Sequence, residues 1–79
     1  MTLELYKRDT CPYCRRVLHY IDRSGRTDVI MKDIIADPAN RTFLIENGGM
    51  DQVPCLFIDG KPLYESSDII EWLKANPQA

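Results

Sequence analysis

The amino-acid sequence predicts an α/β domain with the element order βαβαββα, in which a four-stranded mixed sheet is flanked by three helices. Short runs rich in β-branched and aromatic residues alternate with longer runs in which apolar residues recur at helical spacing. The pair Asp59-Gly60, between the last two short runs, is typical of a hairpin turn. A helix that joins two strands makes them parallel and a hairpin makes them antiparallel, so the sheet should be mixed.

Length and composition indicate one globular domain over residues 1–79. With 44% hydrophobic residues, 28% charged residues and a formal net charge of -2, nothing in the composition calls for nucleic acid or a membrane surface as a partner. The first residues lack a basic segment followed by an apolar run, and three cysteines do not make the even framework of a secreted disulfide scaffold. We therefore expect a cytoplasmic monomer that binds neither nucleic acid nor a membrane.

The first strand leads directly into a pair of cysteines. Residues 3–7 alternate apolar and polar side chains and predict this strand. Pro12 suits the first position of the helix that follows, and Ser24-Gly25 ends that helix. Its apolar stripe is Val17, Leu18 and Ile21.

A second strand and a second helix follow. Residues 29–35 are rich in Val and Ile and predict a strand at an edge of the sheet. Asp37-Pro38 is a capping residue followed by a proline at the first helical position, and Asn47-Gly48-Gly49 ends the helix. Its apolar residues are Phe43 and Leu44.

The last part of the chain predicts a hairpin and a third helix. Residues 53–58 form a strand that begins near a proline, and residues 61–64 return after the turn. Glu65-Ser66-Ser67-Asp68 opens the helix, and Asn76-Pro77 ends it. Asp68 and Glu71 have the spacing of a capping box. The predicted buried stripe is Ile69, Ile70 and Leu73, with Trp72 partly buried beside it.

The segment Cys11-Pro12-Tyr13-Cys14 carries the chemistry of the chain. It places two thiols in the first turn of the first helix, where free backbone N–H groups and the helix dipole favour a thiolate. Cys11 should be the more acidic thiol, with Cys14 one turn away to resolve a mixed disulfide. Nearby basic residues, Lys7, Arg8, Arg15 and Arg16, would favour the thiolate and an anionic substrate.

Other readings of the two cysteines stay open. Zinc needs four ligands, and His19 and Cys55 are the further candidates, neither of them in a second paired motif. A structural disulfide across so short a loop would remove little entropy from the unfolded chain. Two ordinary buried cysteines would pack as small hydrophobic residues. His19 itself is best interpreted as a structural histidine of the helix.

The element order, together with Cys-Pro-Tyr-Cys after the first strand, resembles the glutaredoxin family of the thioredoxin fold. The resemblance covers nearly the whole chain, and its most specific parts are residues 6–14, the pair Val53-Pro54 and the acidic-serine opening of the last helix. It implies a thioredoxin-like fold in which Pro54 is cis, and a single glutaredoxin domain over residues 1–79.

The resemblance also implies roles for individual residues. Cys11 would be the nucleophile and Cys14 the resolving thiol. Glutathione would be bound by six residues, with Lys7 as an alternative to the first of them: Arg8, Tyr13, Val53, Pro54, Ser67 and Asp68. Arg8 would meet the glycyl carboxylate, and the helix start at Ser67 and Asp68 would hold the γ-glutamyl carboxylate.

The chain departs from the family pattern in three places. Met50-Asp51-Gln52 stands where the family has a threonine, which removes one contact and adds a negative charge near the site. Tyr64-Glu65-Ser66 replaces a Gly-Gly pair and is similar to the opening found in the N-terminal domain of glutathione transferases. Cys55 follows Pro54 directly, where a polar or aliphatic residue is more common.

The implied activity is that of a glutathione-dependent thiol–disulfide oxidoreductase. It would reduce disulfide-bonded or glutathionylated proteins, with glutathione as co-substrate and with no metal and no tightly bound cofactor. One alternative is a thioredoxin-like electron donor reduced by a flavoprotein reductase. Another is an iron–sulfur cluster carrier in which Cys11 and glutathione ligate the cluster between two protomers.

Overall fold

The computed structural model describes residues 1–78 and has the predicted order of elements. In chain order these are β1 Leu3–Lys7, α1 Pro12–Ser24, β2 Val29–Asp33, α2 Pro38–Gly48, β3 Cys55–Ile58, β4 Lys61–Tyr64 and α3 Ser66–Ala75. The sheet order is β2-β1-β3-β4. Strands β1 and β2 are parallel, whereas β3 pairs antiparallel with both β1 and β4. The mixed sheet and the edge position of β2 are therefore confirmed.

Two apolar clusters hold the helices on opposite faces of the sheet. Successive residues of a strand face opposite sides, so β1 sends Leu5 to one cluster and Tyr6 to the other. The first cluster packs α1 and α3 on one face: Leu3, Leu5, Val17, Ile21, Leu56, Ile69 and Leu73. The second packs α2 on the other: Tyr6, Ile34, Leu44, Cys55 and Phe57. Strands β1 and β3, at the centre of the sheet, are covered on both faces and hold the site in place.

Two predicted strands are shorter in the structure. Residues 34 and 35 lie outside β2 because the Asp33 carboxylate accepts hydrogen bonds from the backbone N–H groups of Ile35 and Ala36 at 2.8 and 3.0 Å, which turns the chain. Residues 53 and 54 lie outside β3, since Pro54 has no N–H to donate to a strand ladder. Both shortened ends leave loops beside Cys11.

The predicted helix and hairpin ends are largely confirmed. Gly25 and Gly49 end α1 and α2 in the left-handed conformation, and the Asp37 side chain caps α2 at Ala39 N–H. Asp59 and Gly60 both have positive φ, as a tight hairpin turn of this type requires. Phe43 is an exception to the predicted apolar stripes, because the residue is 39% exposed.

The predicted capping box of the third helix is wrong. Helix α3 begins at Ser66, and its N-cap is Glu65, whose φ is 72° and whose side chain makes no capping hydrogen bond. Asp68 therefore lies inside the first turn, where its charge still suits the helix dipole. Ile69 and Leu73 are buried as predicted, while Ile70 is half-buried. Within residues 1–78, no helix has the length and apolar composition needed to cross a bilayer.

Candidate active site

Cys11 lies at the end of the connection between β1 and α1. Its backbone is extended, with φ -85° and ψ 123°, and it is the N-cap of the helix, with Pro12 at the first helical position. Cys14, three residues later, is fully buried, whereas Cys11 is 7% exposed. The two thiols are thus adjacent at the helix start, as predicted, and Cys11 is the one that an incoming molecule can reach.

The surroundings of the two thiols separate their pKa values. Burial raises the pKa of Cys11, but hydrogen bonds from the Cys14 backbone, the Cys14 thiol and the Tyr13 backbone, with the charge of Arg8, outweigh burial and lower it below the ordinary value. Burial is also the main influence on Cys14 and raises its pKa to about 11. Cys11 is consequently the thiol that ionises first, and the thiolate is the form that attacks disulfides.

The loop that leads into β3, the strand beside β1, faces the reactive thiol. The Val53-Pro54 peptide bond is cis, as the resemblance implies. The backbone oxygen of Val53 accepts a hydrogen bond from Cys11 Sγ at 3.9 Å. This loop therefore forms the wall opposite the thiol and leaves room for a ligand on either side of Val53.

Two clefts meet at this loop. The first has a volume of about 440 Å³ and is lined by Arg8, Cys11, Ile34, Ile35, Arg41, Asp51, Gln52 and Val53. The second has a volume of about 380 Å³ and is lined by Tyr13, Gln52, Val53, Pro54, Glu65 and Ser66. Because Gln52 and Val53 belong to both, the clefts form one groove. Cys11 lines its first cleft together with Arg8 and Arg41, and the second cleft reaches the start of α3.

An ion pair lies in the first cleft. Arg41 Nε donates to both carboxylate oxygens of Asp51, at 3.1 and 3.2 Å, and its Nη2 also contacts Asp51. The hydrogen bond from Arg41 is the main cause that holds the pKa of Asp51 below its usual range, and Arg8 adds to it. The negative charge that the sequence placed near the site is thus neutralised by Arg41.

Most of the predicted site residues line this groove. Arg8, Tyr13, Val53 and Pro54 do so together with Cys11. Ser67 and Asp68 lie in the first turn of α3, but both are exposed and neither lines the groove. Their place is taken by two preceding residues, Glu65 and Ser66.

Lys7, the alternative to Arg8, does not line the groove. Its ammonium group lies 2.6 Å from Asp9 Oδ1 and 3.3 Å from Asp33 Oδ2. The hydrogen bond to Asp9 is the main cause that raises the pKa of Lys7, so the ammonium group stays charged and paired with these two carboxylates. Arg8 is therefore the basic residue of this segment that faces the site.

Arg41 and Glu65 line the groove although no sequence pattern predicts them as site residues. Both are far from the cysteines in the chain, and an isolated arginine or glutamate in a helix or turn gives no local signal.

His19 lies outside the groove, exposed on α1. Cys55 is fully buried under α2, and burial raises its pKa to about 11. Within residues 1–78, His, Cys, Asp and Glu side chains form no group of three or more placed to hold a metal ion.

A thiol of lowered pKa that lines a groove, with a second thiol one turn away, provides what thiol–disulfide exchange requires. On this fold, the pair defines the class of thiol–disulfide oxidoreductases. Within that class the chain belongs to the glutaredoxin family, whose model matches residues 3–63.

Known proteins agree with this assignment. Glutaredoxin 3 of Escherichia coli is 30% identical over 69 residues, which are 85% of this chain and 80% of that protein. The solution structure of a Brucella melitensis glutaredoxin is similar with a TM-score of 0.65 and 27% identity, over 95% of this chain and 79% of that one. A Methylobacillus flagellatus glutathione S-transferase, solved with glutathione bound, is similar with a TM-score of 0.73 and 28% identity, over 96% of this chain and 37% of that one.

Proposed function

We propose that the protein is a glutathione-dependent oxidoreductase that reduces protein disulfides and glutathione mixed disulfides. The observation that carries the proposal is the groove, because Cys11 shares its first cleft with two guanidinium groups and the adjoining second cleft reaches the start of α3. Glutathione is a tripeptide with its thiol in the middle and a carboxylate at each end, so its charges match this arrangement. The Methylobacillus flagellatus structure adds support, since that related fold holds glutathione.

The groove suggests an orientation for the tripeptide. Arg8 and Arg41 would take the glycyl carboxylate, as guanidinium groups bind carboxylates in a fork geometry. The backbone of Val53, 3.9 Å from Cys11 Sγ through its oxygen, would pair with the cysteinyl residue. The γ-glutamyl carboxylate would enter at Ser66, which lines the groove, and would meet the free backbone N–H groups of the first turn of α3 at Ser67 and Asp68.

The proposed reaction is two successive thiol–disulfide exchanges. The Cys11 thiolate attacks the glutathionyl sulfur, a bond forms between these two sulfurs, the substrate disulfide bond breaks and the target leaves as a thiolate. A second glutathione then attacks the mixed disulfide, releases Cys11 as a thiolate and forms oxidised glutathione. For protein disulfides, Cys14 instead displaces the target from Cys11, and the resulting Cys11–Cys14 disulfide is reduced by two molecules of glutathione.

Turnover with glutathione is the first test of this function. In a coupled assay with glutathione reductase, NADPH and a small glutathionyl disulfide, we expect NADPH consumption that saturates with the disulfide. Cys11→Ser protein is the control for the uncatalysed exchange. Consumption no faster than this control at saturating glutathione would refute the proposal, and reduction by a flavoprotein thioredoxin reductase alone would favour a thioredoxin-like donor instead.

Arg8→Ala should weaken the use of the glutathionyl substrate. Loss of a charge-assisted hydrogen bond at a partly exposed site costs about 1–2 kcal/mol, which is about a 5- to 30-fold decrease in kcat/KM. Arg16→Ala is the matched control. The sequence places Arg16 among the residues that would favour the thiolate, but in the structure it lies beside His19 outside the groove, and Arg8 is the arginine whose charge lowers the pKa of Cys11. Equal values of kcat/KM for the two variants would show that Arg8 does not bind glutathione.

We also propose that the protein works as a monomer in the cytoplasm without a tightly bound cofactor. Its partners would be glutathione and disulfide-bonded or glutathionylated proteins. Cys11 lines the groove itself, so a protein-bound disulfide would meet it there as the tripeptide would.

A further inference from the structure

The ion pair between Arg41 and Asp51 lies in the groove where the proposed substrate places a carboxylate. Arg41 is the second guanidinium of the first cleft, and Asp51 lines the same cleft together with Cys11. The Asp51 carboxylate occupies the fork of Arg41 through Nε and Nη2, in the way that a substrate carboxylate would. We propose that Asp51 is an intramolecular competitor that occupies Arg41 in the free protein and releases it when the glycyl carboxylate of glutathione binds. This inference rests on the proposed function.

The pair is exposed enough to exchange. The Arg41 side chain is 57% exposed and the Asp51 side chain 42% exposed, and ion pairs in such positions contribute little to stability. Asp51 lies in the loop that follows the last residue of α2, while Arg41 lies near the start of that helix. A carboxylate from solution can therefore reach Arg41 without displacing any buried group.

Arg26, in contrast to Arg41, forms an ion pair with a structural role. Arg26 is 5% exposed, pairs with Asp28 at 2.8 Å, and also donates to the backbone oxygens of Leu73 and Asn76. It therefore ties the end of α3 to the loop before β2. Within the described residues, the guanidinium of Arg41 donates hydrogen bonds to Asp51 alone. A ligand carboxylate that replaced Asp51 would therefore replace all of these hydrogen bonds.

The competition has a consequence for specificity. A substrate with a carboxylate at this end of the groove can replace Asp51, and the Arg41 charge is then paired in both the free and the bound state. A disulfide without that carboxylate leaves the internal pair in place, and Arg8 is then the remaining unpaired positive charge that it meets in the cleft. Asp51 thus lowers the advantage that glutathionyl substrates have over other disulfides, while it keeps Arg41 paired in the free protein.

A double-mutant cycle tests this coupling. The measurement is the single-turnover rate at which a small glutathionyl disulfide transfers its glutathionyl group to Cys11, followed by acid quench and mass spectrometry. We expect Asp51→Asn to raise the second-order rate constant about 2- to 5-fold. The substrate carboxylate then no longer has to displace Asp51 from Arg41, and an exposed ion pair corresponds to a factor of this size. Arg41→Gln should lower the constant, and Asp51→Asn should give no gain in the Arg41→Gln background.

Two controls separate this competition from simpler effects. The same disulfide with its glycyl carboxylate esterified should react equally with wild type and Asp51→Asn. Glu46→Gln removes an equal charge from the exposed face of α2 and should change neither rate. Thermal unfolding of each variant shows that it is folded.

The possible results distinguish this inference from the proposed function. A gain from Asp51→Asn that persists without Arg41 would indicate direct repulsion of the substrate and overturn the competition. The absence of a gain in wild-type background, or an equal gain with the ester, would overturn it as well. Failure of the wild-type protein to accept a glutathionyl group would instead refute the proposed function.

Discussion

Replacement of Cys11 by serine should reduce turnover to the uncatalysed rate with every disulfide substrate. Cys11 is the thiol that faces the groove and the one whose pKa is lowered by its neighbours. A serine hydroxyl does not ionise near neutral pH, so it cannot replace the attacking thiolate. Cys14 cannot take over, because it is fully buried and burial raises its pKa to about 11. Initial rates with a small glutathionyl disulfide and with a protein disulfide measure the effect.

Cys14→Ser should separate the two substrate classes. A second glutathione can still release Cys11 from its mixed disulfide, so reduction of the glutathionyl disulfide should persist. Reduction of protein disulfides should fall strongly, since no internal thiol displaces the target. Cys55→Ser is the control for loss of a buried thiol outside the groove and should leave both activities intact. Equal loss of both activities in Cys14→Ser would contradict the assigned roles.

The pH dependence of alkylation identifies the nucleophile independently. The pKa of Cys11 lies below the ordinary value, so its thiolate persists when the pH falls below the free cysteine value of about 8.5. Cys14 and Cys55, with pKa values raised to about 11 by burial, stay protonated there. Iodoacetamide at mildly acidic pH should therefore label Cys11 first. Mass spectrometric detection of the label on Cys14 or Cys55 before Cys11 would show that the nucleophile is wrongly assigned.

Local signals explain why much of the fold could be predicted from the sequence. Pro12 and Asp37 mark helix starts, Gly25 and Gly49 mark helix ends, and Asp59-Gly60 marks the hairpin, each through a backbone preference of that residue. The pair of cysteines follows the first strand in the chain, so its place at a helix start needs no tertiary information.

Features set by contacts between distant segments could not be predicted in this way. Glu65 precedes α3 with a positive φ, which its residue type does not favour, and the helix therefore begins before the residues chosen as a capping box. Arg41 reaches the groove only because α2 packs against β1 and β3. Asp51 was recognised as a charge near the site, but its partner was not.

Phe57→Ala should have the largest effect on stability. Phe57 is fully buried in the cluster under α2, and its ring lies edge-on to Tyr6 and Phe43, with ring centroids 5.0 and 5.5 Å apart. Truncation of a buried phenylalanine costs about 3–5 kcal/mol, through lost transfer free energy and the cavity left behind. A domain of this size has a free energy of unfolding of about 5 kcal/mol, so the variant should be largely unfolded or close to it.

Phe43→Ala is the matched control for this loss. The ring of Phe43 stacks on Tyr6, with centroids 5.4 Å apart, but the residue is 39% exposed. Water therefore fills the space that the ring leaves, and the substitution should cost about 1–2 kcal/mol of stability. Urea unfolding followed by circular dichroism gives both free energies. Phe57 packs on Tyr6 of β1, the strand that precedes Cys11, and it lies in β3, the strand that follows the Val53-Pro54 loop. The loss of Phe57 should therefore also loosen the two segments that hold Cys11 and Val53 in the groove. Equal losses of stability in the two variants would show that the centre of this cluster does not lie at Phe57.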